Sequence, residues 1–130
     1  MTGTSVDGLD LALVDVGADE QFSISHAITL AMPEGLQRDL LQLGQPGAAS
    51  IDELGASEQR LGVFICEGIL DWLSTLGIST EDNVAIGNHG QSIRIRPSGT
   101  TAPPLTLQTG DPHQITDITG ITTVADFPRP

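Results

Sequence analysis

Lysine is absent from the sequence, and only five arginines (38, 60, 94, 96 and 129) stand against 17 acidic residues, giving a formal net charge of −12. So few cations cannot neutralise a run of phosphates. This argues against a basic face for nucleic acid or for an anionic membrane. Any phosphate held here must be held by backbone N–H groups, helix ends or a metal. One cysteine, Cys66, excludes an internal disulfide framework and a multi-cysteine metal site. Its apolar, helix-patterned surroundings read it as a small buried hydrophobe. No apolar run reaches the ~18–20 residues of a membrane span, and the N-terminus lacks the basic, then apolar, character of a signal peptide. The expectation is a soluble cytoplasmic protein with no nucleic-acid or membrane partner. Internal repeats and low-complexity blocks are also missing. What is present is 130 residues, 38% of them apolar, enough for one domain with a buried core.

Apolar periodicity divides the chain into elements. Residues 9–16 alternate as a strand, 17–20 form a turn, and 22–31 read as its hairpin partner. Pro33 opens a short helix to about 43. Ser50-Ile51-Asp52-Glu53 has the pattern of a capping box, in which serine accepts from the third helical N–H and glutamate reaches back. It starts a long helix over about 51–76, which Gly77 ends. Val84-Ala85-Ile86-Gly87 reads as a buried strand, 88–92 as a polar turn, and Ile93–Arg96 with Leu105–Gln108 as a second hairpin. Asp111-Pro112 predicts a helix cap and first-turn proline for a helix to about 119. Gly120 stops that helix, and 121–125 form a last strand with Asp126 at its end. Strands alternating with helices imply an α/β domain with a mixed sheet.

Two places can carry chemistry. Gly3-Thr4-Ser5-Val6-Asp7-Gly8-Leu9-Asp10 is a polar, glycine-bracketed turn directly before a strand. Glycines let backbone approach an anion closely, Thr4 and Ser5 offer hydroxyls, and Asp7 can hold a hydrated Mg²⁺. Such a loop suits a nucleotide's phosphates in a chain without lysine, and the same residues also suit an ordinary hairpin turn. The second place is the pair of turns around His89 and Gln108. Ligands of α/β sheets sit at the carboxyl ends of strands, and Gln91 and Gln108 can each donate and accept hydrogen bonds. His89 reads either as a structural hydrogen-bonder or as a site residue, and Asp111 either as a helix cap or as a site residue. His26 and His113 are assigned to the surface. Arg94 and Arg96 alternate on one strand and are expected to face solvent, a phosphate role being the alternative.

Met1-Thr2-Gly3-Thr4-Ser5-Val6-Asp7-Gly8-Leu9-Asp10 closely resembles the Met-Ser-Gly-Thr-Ser-x-Asp-Gly-x-Asp opening of anhydro-N-acetylmuramic acid kinases. Three further segments agree in order and rough spacing. Gly87-Asn88-His89-Gly90-Gln91-Ser92 resembles Gly-Ser-His-Gly-Gln-Thr. Leu107-Gln108-Thr109-Gly110-Asp111-Pro112 resembles Gln-Ile-Gly-Asp/Asn-Pro, with Thr109 at the isoleucine. Residues 119–127 resemble Thr-Gly-Ile-x-Val-Val-Ala-Asp-Phe. The resemblance implies the N-terminal lobe of the actin/hexokinase/Hsp70-like (ribonuclease H-like) kinase fold. It implies an enzyme that opens the 1,6-anhydro bond of a cell-wall sugar and phosphorylates its 6-hydroxyl with ATP and Mg²⁺. Gly3, Thr4, Ser5, Val6, Asp7, Gly8, Leu9 and Asp10 would form the phosphate loop, with Asp7 toward the metal. His89, Gln91, Gln108 and Asp111 would lie on the sugar side.

Two departures from the family pattern stand out. An apolar strand precedes the loop in the family, central in the sheet between the strands at 9–16 and 83–87, and this sequence starts at the loop. The family's second lobe, with the Gly-Phe-Asp-x-Gly-Pro-Gly-Asn segment that carries its general base, has no counterpart here, so no residue of this chain takes that role. Residues 1–130 read as a single incomplete N-terminal lobe with its first strand missing, inactive alone. Half of a split kinase completed by a partner chain, and a non-catalytic sugar- or nucleotide-binding domain, are the alternatives.

Overall fold

The computed structural model describes residues 2, 5–19, 21–47, 49–99 and 101–127. Six strands and three α-helices follow in the order β1 (Gly8–Val16), β2 (Phe22–Ala31), α1 (Glu34–Leu43), α2 (Ile51–Leu76), β3 (Ile86–Gly87), β4 (Gln91–Arg96), β5 (Leu105–Thr109), α3 (Pro112–Thr119) and β6 (Thr123–Val124), with one 3₁₀ turn at Thr80–Asp82.

Local sequence accounts for the helices. Ser50 Oγ accepts from Glu53 N–H at 3.1 Å and the Glu53 carboxylate accepts from Ser50 N–H at 2.7 Å, closing the capping box of α2. These bonds, the backbone one foremost, hold the Glu53 carboxyl below the usual carboxylate range. Gly77 ends α2 in the left-handed region at φ +70°. Leu61, Ile65, Cys66, Ile69 and Leu73 on α2 recur at helical spacing and are all buried. They share one core with Leu36, Leu40 and Leu43 of α1, Ile115 of α3, Ile93 of β4 and Leu9 of β1. Burial pushes the Cys66 thiol up, the expected result of desolvating a thiolate.

The sheet departs from the expected single mixed sheet. The described strands form three separate two-stranded ladders: β1–β2 antiparallel, β4–β5 antiparallel and β3–β6 parallel. Apart from one antiparallel bridge, Thr2 to Leu9, no described residue pairs with the second edge of β1. A groove of about 540 Å³ instead runs from Asp10–Ala12 and Ala27–Thr29 to Gly87. This missing pairing also explains why two strands are shorter than their patterns predict. The 84–87 strand is reduced to Ile86–Gly87, with Val84 94% exposed, and the 121–125 strand to Thr123–Val124. With a partner on one edge only, a ladder extends no further than the residues that partner offers. The arginines of β4 also differ from expectation. Arg94 and Arg96 are half-buried, and their guanidinium groups donate to the carbonyls of Gln45 (2.9 Å) and Pro103 (2.6 Å).

Candidate functional site

Because β3 and β6 are parallel, with Gly87 beside Val124, both carboxyl ends face the same way. The Asn88–Gln91 turn that follows β3 therefore lies next to Ala125–Asp126, which follows β6. Asn88 fastens this corner. Its N–H donates to the Val124 carbonyl at 2.8 Å, its Nδ2 to the Gly110 carbonyl at 2.9 Å, and its Oδ1 accepts from Gly90 N–H at 3.1 Å. Three connections meet at one 9%-exposed asparagine. Gly90 crosses so close to β5 that a Cβ would stand 2.5 Å from the Thr109 carbonyl oxygen.

A pocket of about 160 Å³ opens at this corner, bordered by His89, Gln108 and Thr109, with Glu58 of α2 and Asp126 as its charged walls. His89 and Gln108 touch there. The His89 ring approaches the Gly90 carbonyl with Nδ1 at 3.3 Å, and Gln108 Nε2 lies 3.3 Å from His89 Nε2 and 3.5 Å from Ser92 Oγ. A carbonyl only accepts, so Nδ1 donates wherever it bonds the Gly90 carbonyl, and Nε2 faces the Gln108 amide. The Gln108 amide nitrogen therefore stands between the His89 ring and the Ser92 hydroxyl.

The other sugar-side candidates sit differently. Gln91 is 1% exposed and does not line the pocket. Its Nε2 donates to the Ser92 carbonyl at 3.1 Å, and its Oε1 has no partner. Asp111 caps α3, accepting from His113 N–H at 2.8 Å. The residues that sequence reasoning passed over are Asn88, Thr109, Glu58 and Asp126. The first two lie inside quoted motifs, and Asp126 adopts φ +55°, unusual for a residue with a side chain. Glu58 shows no signal in the sequence.

Gly3 and Thr4 lie outside the described residues. The rest of the N-terminal loop is described, and it is joined to the pocket corner. Thr2 bridges Leu9 in backbone pairing, and its Oγ1 donates to the Gly90 carbonyl at 3.2 Å. Ser5 Oγ donates to Asp7 Oδ1 at 2.8 Å, and both residues are exposed. Val6 is 3% exposed and held at φ +54°, a strained conformation for a β-branched residue. The Asp7 carbonyl accepts from Met32 N–H at 3.0 Å. Gly8 lies against β2, where a Cβ would stand 2.8 Å from Thr29 Cγ2. Leu9 is in the core, and Asp10 Oδ1 accepts from Thr29 Oγ1 at 2.7 Å, fixing the base of the hairpin. Ser5 and Asp7 are thus the exposed polar side chains of the turn, while Val6 and Leu9 anchor it in the core and the exposed Asp10 is tied to Thr29.

A family model for anhydro-N-acetylmuramic acid kinase matches residues 1–130, the whole sequence. The chain belongs to the anhydro-N-acetylmuramic acid kinase family. Among curated relatives named anhydro-N-acetylmuramic acid kinase, that of Xylella fastidiosa is 42% identical, that of Vibrio vulnificus 39% and that of a Shewanella strain 41%. Each match covers 99% of this chain and 34% of the relative, so the chain spans about a third of the length of these kinases. Among the described residues no helix is long and apolar enough to cross a membrane.

Proposed function

We propose that this chain supplies part of both substrate sites of an ATP-dependent kinase that opens the 1,6-anhydro bond of anhydro-N-acetylmuramic acid and phosphorylates its 6-hydroxyl. The remaining two thirds of the machinery, including the general base, come from sequence that this chain does not contain. The observation that carries the reading is the Thr2–Gly90 hydrogen bond, which ties the base of the glycine–hydroxyl loop to the turn bearing His89. A phosphoryl donor held by one and a hydroxyl acceptor held by the other would be neighbours, the positioning that phosphoryl transfer requires.

In this reading Gly3 to Asp10 form the phosphate loop. Ser5 and the backbone of the turn donate to phosphate oxygens, and Gly8 and the buried Val6 hold the turn close to β2. Asp7 is exposed, with Ser5 hydrogen-bonded to it. Among the described residues no group of three or more acidic, histidine or cysteine side chains gathers to cage a metal. One carboxylate completed by waters and phosphate oxygens is the way proteins ordinarily hold Mg²⁺, so the residues present fit that ion and ATP. The metal, when bound, neutralises charge on the transferring phosphoryl group. His89 and Gln108, in contact with each other, would meet sugar hydroxyls. Asp111 and Gln91 would act indirectly, by capping α3 and by filling the core beneath β4. The groove between Asp10–Ala12 and Gly87 would take a further strand, completing one mixed sheet of the actin/hexokinase-like lobe.

The test is reconstitution. The chain is co-expressed with the two thirds of the Xylella kinase that it does not match, and the purified pair is assayed for ATP-dependent phosphorylation of the anhydro sugar. Phosphorylated product from the pair and none from the chain alone is expected. A soluble, associated pair that makes no product overturns the reading.

A further inference from the structure

Val6 combines three properties that rarely occur together. It is β-branched, it is buried in the core, and it is held at φ +54°. Glycine adopts such a backbone freely, and a residue with a Cβ adopts it at a cost. Strain of this kind persists only where the surrounding structure over-determines it. Here the core holds the Val6 side chain, the Asp7 carbonyl accepts from Met32 N–H at 3.0 Å, and Gly8 lies against Thr29 of β2. The bend has a visible consequence. Ser5 and Asp7, on either side of Val6, are exposed, and Ser5 Oγ donates to Asp7 Oδ1 at 2.8 Å. An extended strand sets next-but-one residues about 7 Å apart, and a left-handed residue between them brings them closer. One buried side chain thus faces inward while its two polar neighbours meet outside. A glycine at this position would permit the same bend without enforcing it.

We infer that Val6 is a positioning residue: its left-handed bend, locked by burial of its side chain, sets the Ser5 hydroxyl and the Asp7 carboxylate side by side as one preorganised pair facing the nucleotide. The inference rests on the nucleotide-side reading above and adds the cause of the loop's shape. With its side chain in the core, Val6 acts through its two exposed neighbours. A loop that is already bent loses little conformational freedom when a ligand binds, whereas a loop with glycine in this place must be ordered at that moment. The cost of losing Val6 therefore falls on the nucleotide and leaves the sugar side unchanged.

The experiment begins with urea unfolding of the full chain. At Val14, in β1 and without a positive φ, glycine should lower the folded-to-unfolded ratio about threefold more than alanine does. At Val6 the order should reverse, because alanine keeps the cost of the bend and glycine removes it. The same order at both positions overturns the inference. The second readout is kinetic, in the reconstituted pair described above. Val6→Gly should raise KM for ATP about tenfold with KM for the sugar unchanged, and Val6→Ile, which keeps a branched anchor, should restore the wild-type value. A purely structural role would lower the active fraction and move neither KM, so an unchanged KM for ATP, or equal changes in both, also overturns the inference. If the wild-type pair makes no product, the kinase reading falls alone. The bend is then read in the labelled full chain from the nuclear Overhauser contact between the β-protons of Ser5 and Asp7. That contact should be present in wild type and Val6→Ile and lost in Val6→Gly, and its survival in Val6→Gly refutes the role of Val6.

Discussion

Replacing Gly90 by alanine tests the geometry of the site corner most directly. Two costs add at this position. The backbone holds φ +70°, which a residue with a Cβ adopts at a cost of about 1 kcal/mol. The new Cβ would also stand 2.5 Å from the Thr109 carbonyl oxygen and 3.5 Å from its carbonyl carbon. Neither neighbour is a flexible side-chain end. Relief requires β5 to move away from the Asn88–Gln91 turn, which strains the Gly90-to-Asn88 and Asn88-to-Gly110 hydrogen bonds. Overpacking of this kind costs roughly 1–3 kcal/mol, so the total loss is about 2–4 kcal/mol, a large part of the 5–15 kcal/mol typical of whole domains. Gly77→Ala isolates the first cost, because Gly77 has the same φ of +70° and nothing within 4 Å of a built Cβ. Urea unfolding followed by the fluorescence of Trp72, the single tryptophan, supplies the assay. Gly77→Ala should lose about 1 kcal/mol, and Gly90→Ala two to four times that. Equal losses at the two positions would refute the reasoning, since they would show that the turn and β5 are not in contact.

Other consequences are equally open to measurement. Ser50→Ala removes the cap of α2 and should cost about 1 kcal/mol in the same unfolding assay. The Glu53 carboxyl is held low by its bonds to Ser50, so its contribution is present above the unfolded-state carboxyl pKa and lost as pH falls through the lower folded value. An acid titration of stability should therefore lose this component in the wild type and a smaller one in Ser50→Ala, which removes the hydroxyl bond to Glu53 and keeps the backbone one. Cys66 is 1% exposed with its thiol pushed up, so a thiol reagent at pH 8 should label it at the rate of unfolding, and rapid labelling of the native chain would contradict the packing. Thr109→Val replaces an unpartnered buried hydroxyl by a methyl of similar shape. It should hold or raise the stability of the chain by up to about 1 kcal/mol; a clear loss of stability would show that the hydroxyl is already satisfied.

The helices were the legible part of the sequence, because their signals are local. Ser50 and Glu53 fix the start of α2, Gly77 its end, and Asp111-Pro112 the start of α3. Both hairpins were legible for the same reason, since alternation and a turn suffice. The site was legible where motifs sit on turns: His89 and Gln108 prove to be in contact. What the sequence could not reveal depends on distant partners. Glu58 lies in the middle of a helix with no pattern around it, and only the packing of α2 brings it to the pocket. Val84 looks like strand core, yet is exposed because nothing described pairs beside it. Gln91 shares a turn with His89 but, as the first residue of β4, points into the core, a consequence of the two-residue period of a strand.

The N-terminal loop and the pocket are best understood as one mechanical unit. Thr2 bonds forward to Gly90 through its hydroxyl and sideways to Leu9 through its backbone. Leu9 is buried beside Gly68 of α2, the helix that also supplies Glu58. A displacement of the loop therefore acts on the His89 turn by a single hydrogen bond and on the Glu58 wall through one helix. The open edge of β1 has the opposite effect: with a single bridge on its second side among the described residues, the strand behind the loop is held chiefly by β2 and the core. A segment paired into the groove beside Gly87 would tie β1 to β3 and stiffen both ends of this unit at once. The loop and the His89 turn would then be set in register by the same strand, so completing the sheet and fixing the geometry of the candidate site become one event.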